Sequence, residues 1–253
     1  MSDEQKQEIY EYWNNRQPYG WGEYEEMRTL KYGLHSYWLT TFDFEKWNGK
    51  RILEIGCGCG IDAVEYAKHG AQVYATDLTE NAVRETQELF DLLNLEPAEI
   101  RQVDATQGLP YEDAFFDMVY SIGVIHHSPE PKKIVSEASR VLKPGGSMYA
   151  LLYHKDSLLY YFSILYIGGI VKHGFSEGLT EKQLLAKYSE ATDGCPYTDV
   201  YTVQQAKELF APYFEYVDVA IEHPAIDTMT ERKKLPPDVP KNLGWHLIIK
   251  AVK

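Results

Sequence analysis

Cysteine is scarce in this chain, with three among 253 residues: Cys57, Cys59 and Cys195. An odd and low count argues against a disulfide framework and favours a reducing compartment. The first residues, MSDEQKQEIYEYW, also lack the charged-then-apolar pattern of a secretory signal. We therefore expect a cytoplasmic protein.

Basic residues are also few, because 25 Lys and Arg face 38 Asp and Glu and leave a formal net charge of −13. An acidic chain repels phosphate backbones. The densest basic run, at 232–234, is only three residues long. We expect no nucleic-acid partner.

Long apolar runs are missing as well. The longest uncharged run covers fifteen residues, 157–171, and it includes Gly168 and Gly169. A membrane-spanning helix needs roughly 17–25 apolar residues. We expect no stable membrane span and predict a buried or lid helix instead.

Between residues 49 and 153, short apolar segments alternate with helical patterns. The strand-like segments are 51–55, 72–76, 99–103, 116–122 and 148–153, and the helical patterns cover 62–68, 79–93 and 131–142. Strands separated by helices imply right-handed crossovers and a parallel sheet. The closing segments 213–221 and 245–252 also resemble strands, but the proline-bearing loop between them has no room for a crossover helix. That last pair is therefore predicted to be antiparallel.

The rest of the chain divides around this α/β region. We predict an N-terminal helical arm over 1–48 that covers the site, and an α/β domain over 49–253 with a lid insertion at about 154–201. Thr180-x-x-Gln183 and Thr202-x-x-Gln205 predict capping boxes that open two helices after the fifth strand.

A glycine-rich loop follows the first strand, reading Glu54-Ile55-Gly56-Cys57-Gly58-Cys59-Gly60. Its G-x-G-x-G spacing differs from the G-x-G-x-x-G of dinucleotide sites, whose last glycine position holds Ile61. Glu54 would repel a pyrophosphate but attract an ammonium or sulfonium group. The loop therefore favours a cationic ligand, whereas a turn without a ligand is the alternative.

Two acidic residues follow the next strands. Asp77 ends the second strand, where a carboxylate can accept hydrogen bonds from a ribose diol, or else cap the next helix. Asp104 follows the third strand, where its carboxylate could accept from an adenine amine while the Ala105 N–H donates to a ring nitrogen. A turn-forming role for Asp104 remains open.

Together these residues resemble the class I S-adenosylmethionine-dependent methyltransferases, in their small-molecule branch. The resemblance covers 51–153 and rests on LEIGCGCG (53–60), Asp77, Asp104–Ala105, FFDMVYSIGVIHHSPEP (115–131) and RVLKPGG (140–146). It implies a Rossmann-like α/β fold with a seven-stranded, mostly parallel sheet of strand order 3-2-1-4-5-7-6, in which the last strand is antiparallel. A helical insertion follows strand five.

The resemblance also implies S-adenosyl-L-methionine as cofactor and a set of binding residues. Ten positions would hold it, from the methionine end through the ribose and adenine to the sulfonium: Glu54, Gly56, Cys57, Gly58, Asp77, Leu78, Asp104, Ala105, Ser121 and Ile122. Cys57 and Cys59 lie two residues apart on a turn that must hold a ligand, so we interpret them as small packing residues and expect no metal.

Three histidines follow strands four and five, where a general base would stand. His126, His127 and His154 are the candidates, since neutral imidazole is a suitable base near pH 7. The aromatic insertion at 154–201 predicts a partly apolar or aromatic small-molecule acceptor, although a dimer interface or plain core is an alternative. In the arm, one of Trp13, Tyr19, Trp21 and Tyr24 could cover the sulfonium, or all could simply bury the arm.

Two other functions stay open beside a small-molecule methyltransferase. One is a quinone-type C-methyltransferase at a membrane surface, which the apolar stretch 157–171 would touch. The other is a non-catalytic S-adenosylmethionine-binding module. A dinucleotide oxidoreductase is disfavoured by the loop spacing. A monomer and a homodimer are both compatible with the sequence.

Overall fold

A single seven-stranded sheet organises the chain, in the order β3-β2-β1-β4-β5-β7-β6. We describe a computed structural model over residues 3–15, 24–190, 194–224 and 239–253. The strands are β1 Arg51–Ile55, β2 Gln72–Asp77, β3 Glu99–Gln102, β4 Phe116–Ile122, β5 Leu142–Tyr153, β6 Tyr216–Glu222 and β7 His246–Val252. Strands β1 to β5 pair in parallel, and β7 is antiparallel to both β5 and β6. The predicted fold class and strand order are confirmed.

Helices cover both faces of the sheet. They are α1 Asp3–Asn14, α2 Tyr24–Leu34, α3 Tyr37–Phe42, α4 Ile61–Lys68, α5 Glu80–Leu92, α6 Pro131–Val141, a π-helix at Leu159–Val171, α7 Glu181–Tyr188 and α8 Val203–Phe210. One core packs α2 to α5 on one face, and a second core packs α6 and α8 on the other. Neighbouring strand residues such as Ile52 and Leu53 enter opposite cores, because side chains alternate across a strand.

Strand five begins earlier than the sequence predicts, at Leu142 rather than 148. Its Lys-Pro-Gly-Gly segment would ordinarily end an element. Here Leu142 pairs with Phe116, the pairing then shifts register, and Ser147 pairs with Met118. The extra residues are accommodated as an irregularity at the sheet end, where the Gly145 N–H donates to the Lys253 carbonyl at 2.6 Å.

The insertion after β5 forms a small core of its own. The π-helix and α7 bury Leu159, Tyr160, Ile164, Leu184 and Leu185 against Trp245. Both predicted capping boxes are confirmed, because the Thr180 and Thr202 side chains accept from the backbone N–H three residues on, and the glutamines there bond back. Among the described residues, every helix is too short or too polar to span a bilayer.

The arm is attached to α4 by buried polar contacts. Arg28 on α2 makes two hydrogen bonds to Glu65, at 2.9 and 3.1 Å. Tyr24 also donates to Glu65, and Lys68 donates to the Tyr24 hydroxyl at 2.8 Å. The bidentate contact fixes the orientation of α2 on the sheet as well as its position.

Candidate functional site

A cavity of about 380 Å³ opens at the carboxyl ends of the parallel strands. This is the edge where ligands bind in parallel α/β sheets. Nine of the ten predicted cofactor residues line it: Glu54, Gly56, Cys57, Gly58, Asp77, Leu78, Asp104, Ala105 and Ile122. Ser121 is the exception, because its fully buried hydroxyl donates to the Ile55 carbonyl at 3.1 Å and joins β4 to β1.

The spacing of the glycine loop follows from close approaches on its two sides. Gly56 has a φ of 79°, and a Cβ there would lie 2.1 Å from Cγ2 of Val124 in the loop after β4. Gly60 has a φ of 78°, and a Cβ there would lie 2.9 Å from Cγ2 of Thr86 on α5. Only glycine combines positive φ with such contacts. The loop is therefore held between two neighbours, with its backbone exposed to the cavity.

Cys57 in this loop lines the cavity and also contacts α5. Its Sγ accepts from the Thr86 hydroxyl at 3.3 Å. Burial raises the pKa of the Cys57 thiol well above its ordinary value, and burial also raises that of Cys59.

Glu54 offers the cavity a buried acceptor. The side chain is 4% exposed, and its Oε2 has no hydrogen-bond partner among the described residues. Burial, together with the charge of Asp62, raises the pKa of Glu54 well above its ordinary value. A buried acceptor without a partner is costly, so this carboxyl group fits a ligand that brings a donor or a positive charge.

Asp62, on the first turn of α4, binds the arm beside Glu54. Lys31 Nζ lies 2.8 Å from Asp62 Oδ2. The hydroxyls of Tyr32 and Tyr120 donate to the same carboxylate, each at 2.8 Å. Lys31 lines the cavity and brings a cation to the glycine-loop end. Lys31 was not predicted from the sequence, because no motif surrounds it there.

Asp77, the residue predicted to contact the ribose, already accepts hydrogen bonds from the glycine loop and from Thr79. Its Oδ2 accepts from the Gly58 N–H at 3.1 Å, and its Oδ1 accepts from the backbone and hydroxyl of Thr79, both at 2.9 Å. Thr79, rather than Asp77, caps α5. A carboxylate has about four lone-pair sites, so Oδ2 has capacity for one further donor from the cavity.

Asp104 forms the turn that was the alternative to adenine binding. Its Oδ1 accepts from the Thr106 N–H at 2.9 Å and from the Thr106 hydroxyl at 2.7 Å. The turn nevertheless faces the cavity, together with Ala105 and Thr106. Adenine binding by Asp104 therefore stays a prediction. The hydrogen bonds to Thr106 would hold the turn in place for such a contact.

Of the three candidate histidines, only His127 lines the cavity. His126 is fully buried, with Nδ1 3.2 Å from the Leu151 carbonyl. His154 is buried as well, with Nδ1 2.8 Å from the Gly244 carbonyl. Burial lowers the pKa of both rings. The structure thus separates one cavity histidine from two that contact backbone carbonyls.

His127 is embedded in a polar network from the insertion. Its Nε2 lies 3.4 Å from Glu190 Oε1, and its Nδ1 lies 3.5 Å from Cys195 Sγ. Burial lowers the pKa of His127, but hydrogen bonds to Cys195 and Glu190 and the charge of Glu190 outweigh burial and raise it to about 9. Tyr153 donates to the same Glu190 oxygen at 2.5 Å. Sequence reasoning missed Glu190 and Tyr153, because one lies in the insertion and the other within β5.

An aromatic wall forms part of the lining of the cavity. It consists of His35, Trp38, Tyr153, Trp245 and His246, all of which line the cavity. Tyr153 stacks on Trp245 with ring centroids 4.3 Å apart, and His35 stacks on Trp38 at 4.6 Å. The sequence predicts a partly apolar or aromatic acceptor, and this wall offers ring faces on which such a molecule could stack.

The arm contributes α1 to the cavity. Lys6, Ile9 and Trp13 line it, and the Trp13 ring lies 4.8 Å from the His127 ring. Tyr24 instead contacts Glu65 on α4, away from the cavity. Tyr19 and Trp21 lie outside the described residues.

Comparison with known proteins agrees with this geometry. Residues 53–150 match a family model described as a methyltransferase domain. Ubiquinone biosynthesis O-methyltransferases are similar in sequence: the one from Pseudomonas aeruginosa is 30% identical over 117 residues, which are 46% of this chain and 50% of the relative. The one from Ralstonia nicotianae is 29% identical over 120 residues, 46% of this chain and 49% of the relative. The chain therefore spans about half the length of the curated relatives it matches.

Solved structures share the fold. Magnesium protoporphyrin IX methyltransferase from Synechocystis PCC 6803, with bound SAH, has a TM-score of 0.61 at 16% identity and covers 98% of this chain and 99% of its own. A SAM-dependent methyltransferase from Methanosarcina mazei has a TM-score of 0.59 at 21% identity, covering 85% and 96%. These likenesses are at the level of the fold.

The His127–Glu190 contact predicts a distinctive titration. We expect the His127 imidazole to titrate near pH 9, above the ordinary 6.5, and the midpoint to fall in E190Q because the amide carries no charge. Since the folded pKa is raised, the pair stabilises the fold fully below about pH 6.5, and this stabilisation is lost as the pH rises through about 9. NMR of the imidazole resonances, assigned with H127Q, measures the midpoint.

The exposed variant E177Q serves as the control, because it removes the same charge elsewhere in the insertion. A wild-type midpoint at or below 6.5, or the same midpoint in E190Q as in wild type, contradicts the contact.

Proposed function

We propose that this chain transfers the methyl group of S-adenosylmethionine to a small molecule. The match of residues 53–150 to a family model described as a methyltransferase domain supports the proposal. The observation that carries the proposal is the buried Oε2 of Glu54, which has no partner in the part of the chain that the structure describes and lies beside a glycine loop that lines the cavity. A cationic amino-acid group would supply the missing donor and favour the charged form of Glu54, whereas a phosphate would disfavour that form.

The glycine-loop end suits the methionine part of the cofactor, which carries an ammonium and a carboxylate. Glu54 would accept from the ammonium. Lys31, already paired with Asp62 at 2.8 Å, would attract the carboxylate, and so would N–H groups of the glycine loop. Opposite charges thus face opposite charges at one end of the cavity.

The nucleoside part would extend along the ends of β2 and β3. Asp77 Oδ2 would accept from a ribose hydroxyl, and Leu78 would flank the base. Asp104 and Ala105 would contact the adenine edge from a turn that Thr106 fixes. Ile122 would lie near the sulfonium, where an apolar side chain helps to exclude water.

When bound, S-adenosylmethionine supplies a methyl carbon made electrophilic by positively charged sulfur. The protein's task is then to position the acceptor and keep water out, which contributes up to ~7–11 kcal/mol in favourable cases. The aromatic wall would stack on an acceptor, and α1 would cover it. His127 is the proton acceptor that we assign, because it alone of the three candidate histidines lines the cavity.

Cofactor affinity tests the first half of this proposal. We expect D77A to bind S-adenosylmethionine and S-adenosylhomocysteine at least roughly tenfold more weakly, because a ribose hydroxyl and the Gly58 N–H lose their acceptor. Isothermal calorimetry measures the change, with D91A on the exposed face of α5 as the control. Unchanged affinity in D77A, or tight binding of a nicotinamide dinucleotide by wild type, would contradict the assignment.

Transfer of a labelled methyl group tests the second half. We expect mass spectrometry to find the label on a hydroxylated aromatic or related planar acceptor, and kcat to rise with pH towards about 9 as His127 loses its proton. H127Q should lower kcat while leaving S-adenosylmethionine affinity nearly unchanged, and H69Q, at the C-terminal cap of α4, is the control. Binding of S-adenosylmethionine without transfer to any acceptor would instead support a non-catalytic binding module.

A quinone-type methyltransferase at a membrane surface is the second candidate. The curated relatives are named for ubiquinone biosynthesis, and the π-helix exposes apolar side chains. Phe162 is 42% exposed and Ile170 is 59% exposed, with Tyr161, Tyr166 and Val171 also exposed. Tyr160, by contrast, is buried in the core of the insertion. An exposed apolar face of this kind suits contact with lipid or with a second protein chain.

Flotation with phosphatidylcholine vesicles separates these cases. Lipid docking predicts that wild type floats and that the F162E/I170E variant does not, because two charges would enter the interface. L92E is the matched control, since Leu92 is exposed on α5 instead. Wild type that stays at the bottom of the gradient, or a floating F162E/I170E variant, would rule out docking through this face.

A further inference from the structure

Three histidines far apart in the sequence meet at the edge of the aromatic wall. His35 lies between α2 and α3, His223 directly follows β6, and His246 begins β7. Their ring centroids are 4.7 to 5.2 Å apart, and one ligand atom from each lies within 4.8 Å of the others. At most 9% of each residue is exposed. Three imidazoles thus surround one small volume that water reaches poorly.

The sheet fixes two of the three rings. His246 pairs in register with Glu222, directly before His223, and the Trp245 N–H donates to the His223 carbonyl at 2.9 Å. A Cβ on Gly244 would lie 2.2 Å from the Glu222 carbonyl oxygen, so the two chain segments are in close contact. The paired strands β6 and β7 therefore hold His223 and His246 in place, while His35 comes from the arm.

His246 also has a supporting hydrogen bond. The Tyr37 hydroxyl lies 2.5 Å from His246 Nδ1, so a metal bound by this ring would use Nε2 while that bond persists. Metal-bound histidines generally have such a partner on the second ring nitrogen, because it fixes the tautomer and the ring orientation.

We propose that His35, His223 and His246 bind one divalent transition-metal ion, with Zn²⁺ as the ion to test. Imidazole nitrogens suit zinc, and three histidines with an open fourth position are a recurring zinc arrangement. His35 and His246 line the cavity, so the open position would border that cavity. The site goes beyond the methyl transfer proposed above and does not depend on it.

Two consequences follow from this placement. The ion joins the arm, through His35, to β6 and β7, so bound metal holds the arm in place. Its open position accepts an anionic oxygen or sulfur, and a Lewis acid favours the deprotonated form of such a group. The chemical class of ligand for this position is therefore an oxyanion or thiolate.

Metal titration of the untagged protein tests the site without any assay of methyl transfer. We expect wild type to bind one equivalent of Zn²⁺ against a competing chelator, and Co²⁺ to give the intense visible absorption of four-coordinate geometry. H223Q should bind more weakly by over roughly 100-fold, since loss of a direct ligand costs more than loss of a supporting partner. Y37F should lose about tenfold.

The matched control is H173Q. His173 is exposed and has a φ of 61°, close to the 59° of His223, so this variant also removes a histidine from strained backbone. Zinc should raise the melting temperature of wild type, H173Q and Y37F but not of H223Q. Equal zinc affinity in wild type and H223Q, or no stoichiometric uptake by wild type, would show that the three rings only pack together. If H223Q does not fold, Y37F and H173Q still decide the outcome, because a packing cluster predicts no tenfold difference between them.

Azide tests the open coordination position on the Co²⁺ protein. A shift of the visible bands on adding azide shows a replaceable fourth ligand. Unchanged bands at saturating azide would mean that the protein closes the coordination sphere, which would overturn the proposed contact with the cavity.

Discussion

Two buried acidic side chains, Glu54 and Asp62, determine how the arm packs on the sheet and what the glycine-loop end of the cavity can bind. Acidic groups removed from water need partners. Asp62 receives Lys31 and Tyr32 from the arm and Tyr120 from β4. Glu54 lines the cavity, and its Oε2 has no hydrogen-bond partner within the described ranges. The arm, the first helix after the glycine loop and the ligand-binding end of the sheet are thereby electrostatically coupled. The charge of Asp62 both holds the arm through Lys31 and acts on Glu54, the group that would receive a cationic ligand.

The parts of the fold that local patterns determine were predictable. Strands β1 to β4 and helices α4 to α6 lie within a few residues of their predicted bounds, because alternation and helical periodicity reflect the cores that flank the sheet. Both capping boxes were also predictable, because each joins residues only three positions apart. The start of β5 was not predictable, because Pro144 and Gly145 there are tolerated only through an irregular register with β4.

The residues that line the glycine-loop end of the cavity were largely predictable from the sequence, whereas those of the aromatic wall were not. Residues that follow strands carry a positional signal, since the carboxyl ends of parallel strands converge. Ser121 shows the limit of that signal: side chains alternate along β4, and its hydroxyl contacts Ile55 rather than the cavity. Lys31, Glu190 and the three clustered histidines come from the arm, the insertion and the antiparallel edge. Their meeting depends on tertiary packing that no local pattern records.

The core on the α4 side has a further meaning for how the chain divides into parts. Tyr32, Trp38, Phe42, Phe44 and Trp47 from the first 48 residues pack with Tyr66, Tyr120 and Tyr149 of the sheet layer. The boundary predicted near residue 49 therefore passes through a single hydrophobic core, which residues from both sides share. A fragment beginning there would present a broad aromatic surface to solvent, and such surfaces drive self-association. The segment from α2 to Trp47 is therefore part of the interior of the sheet domain.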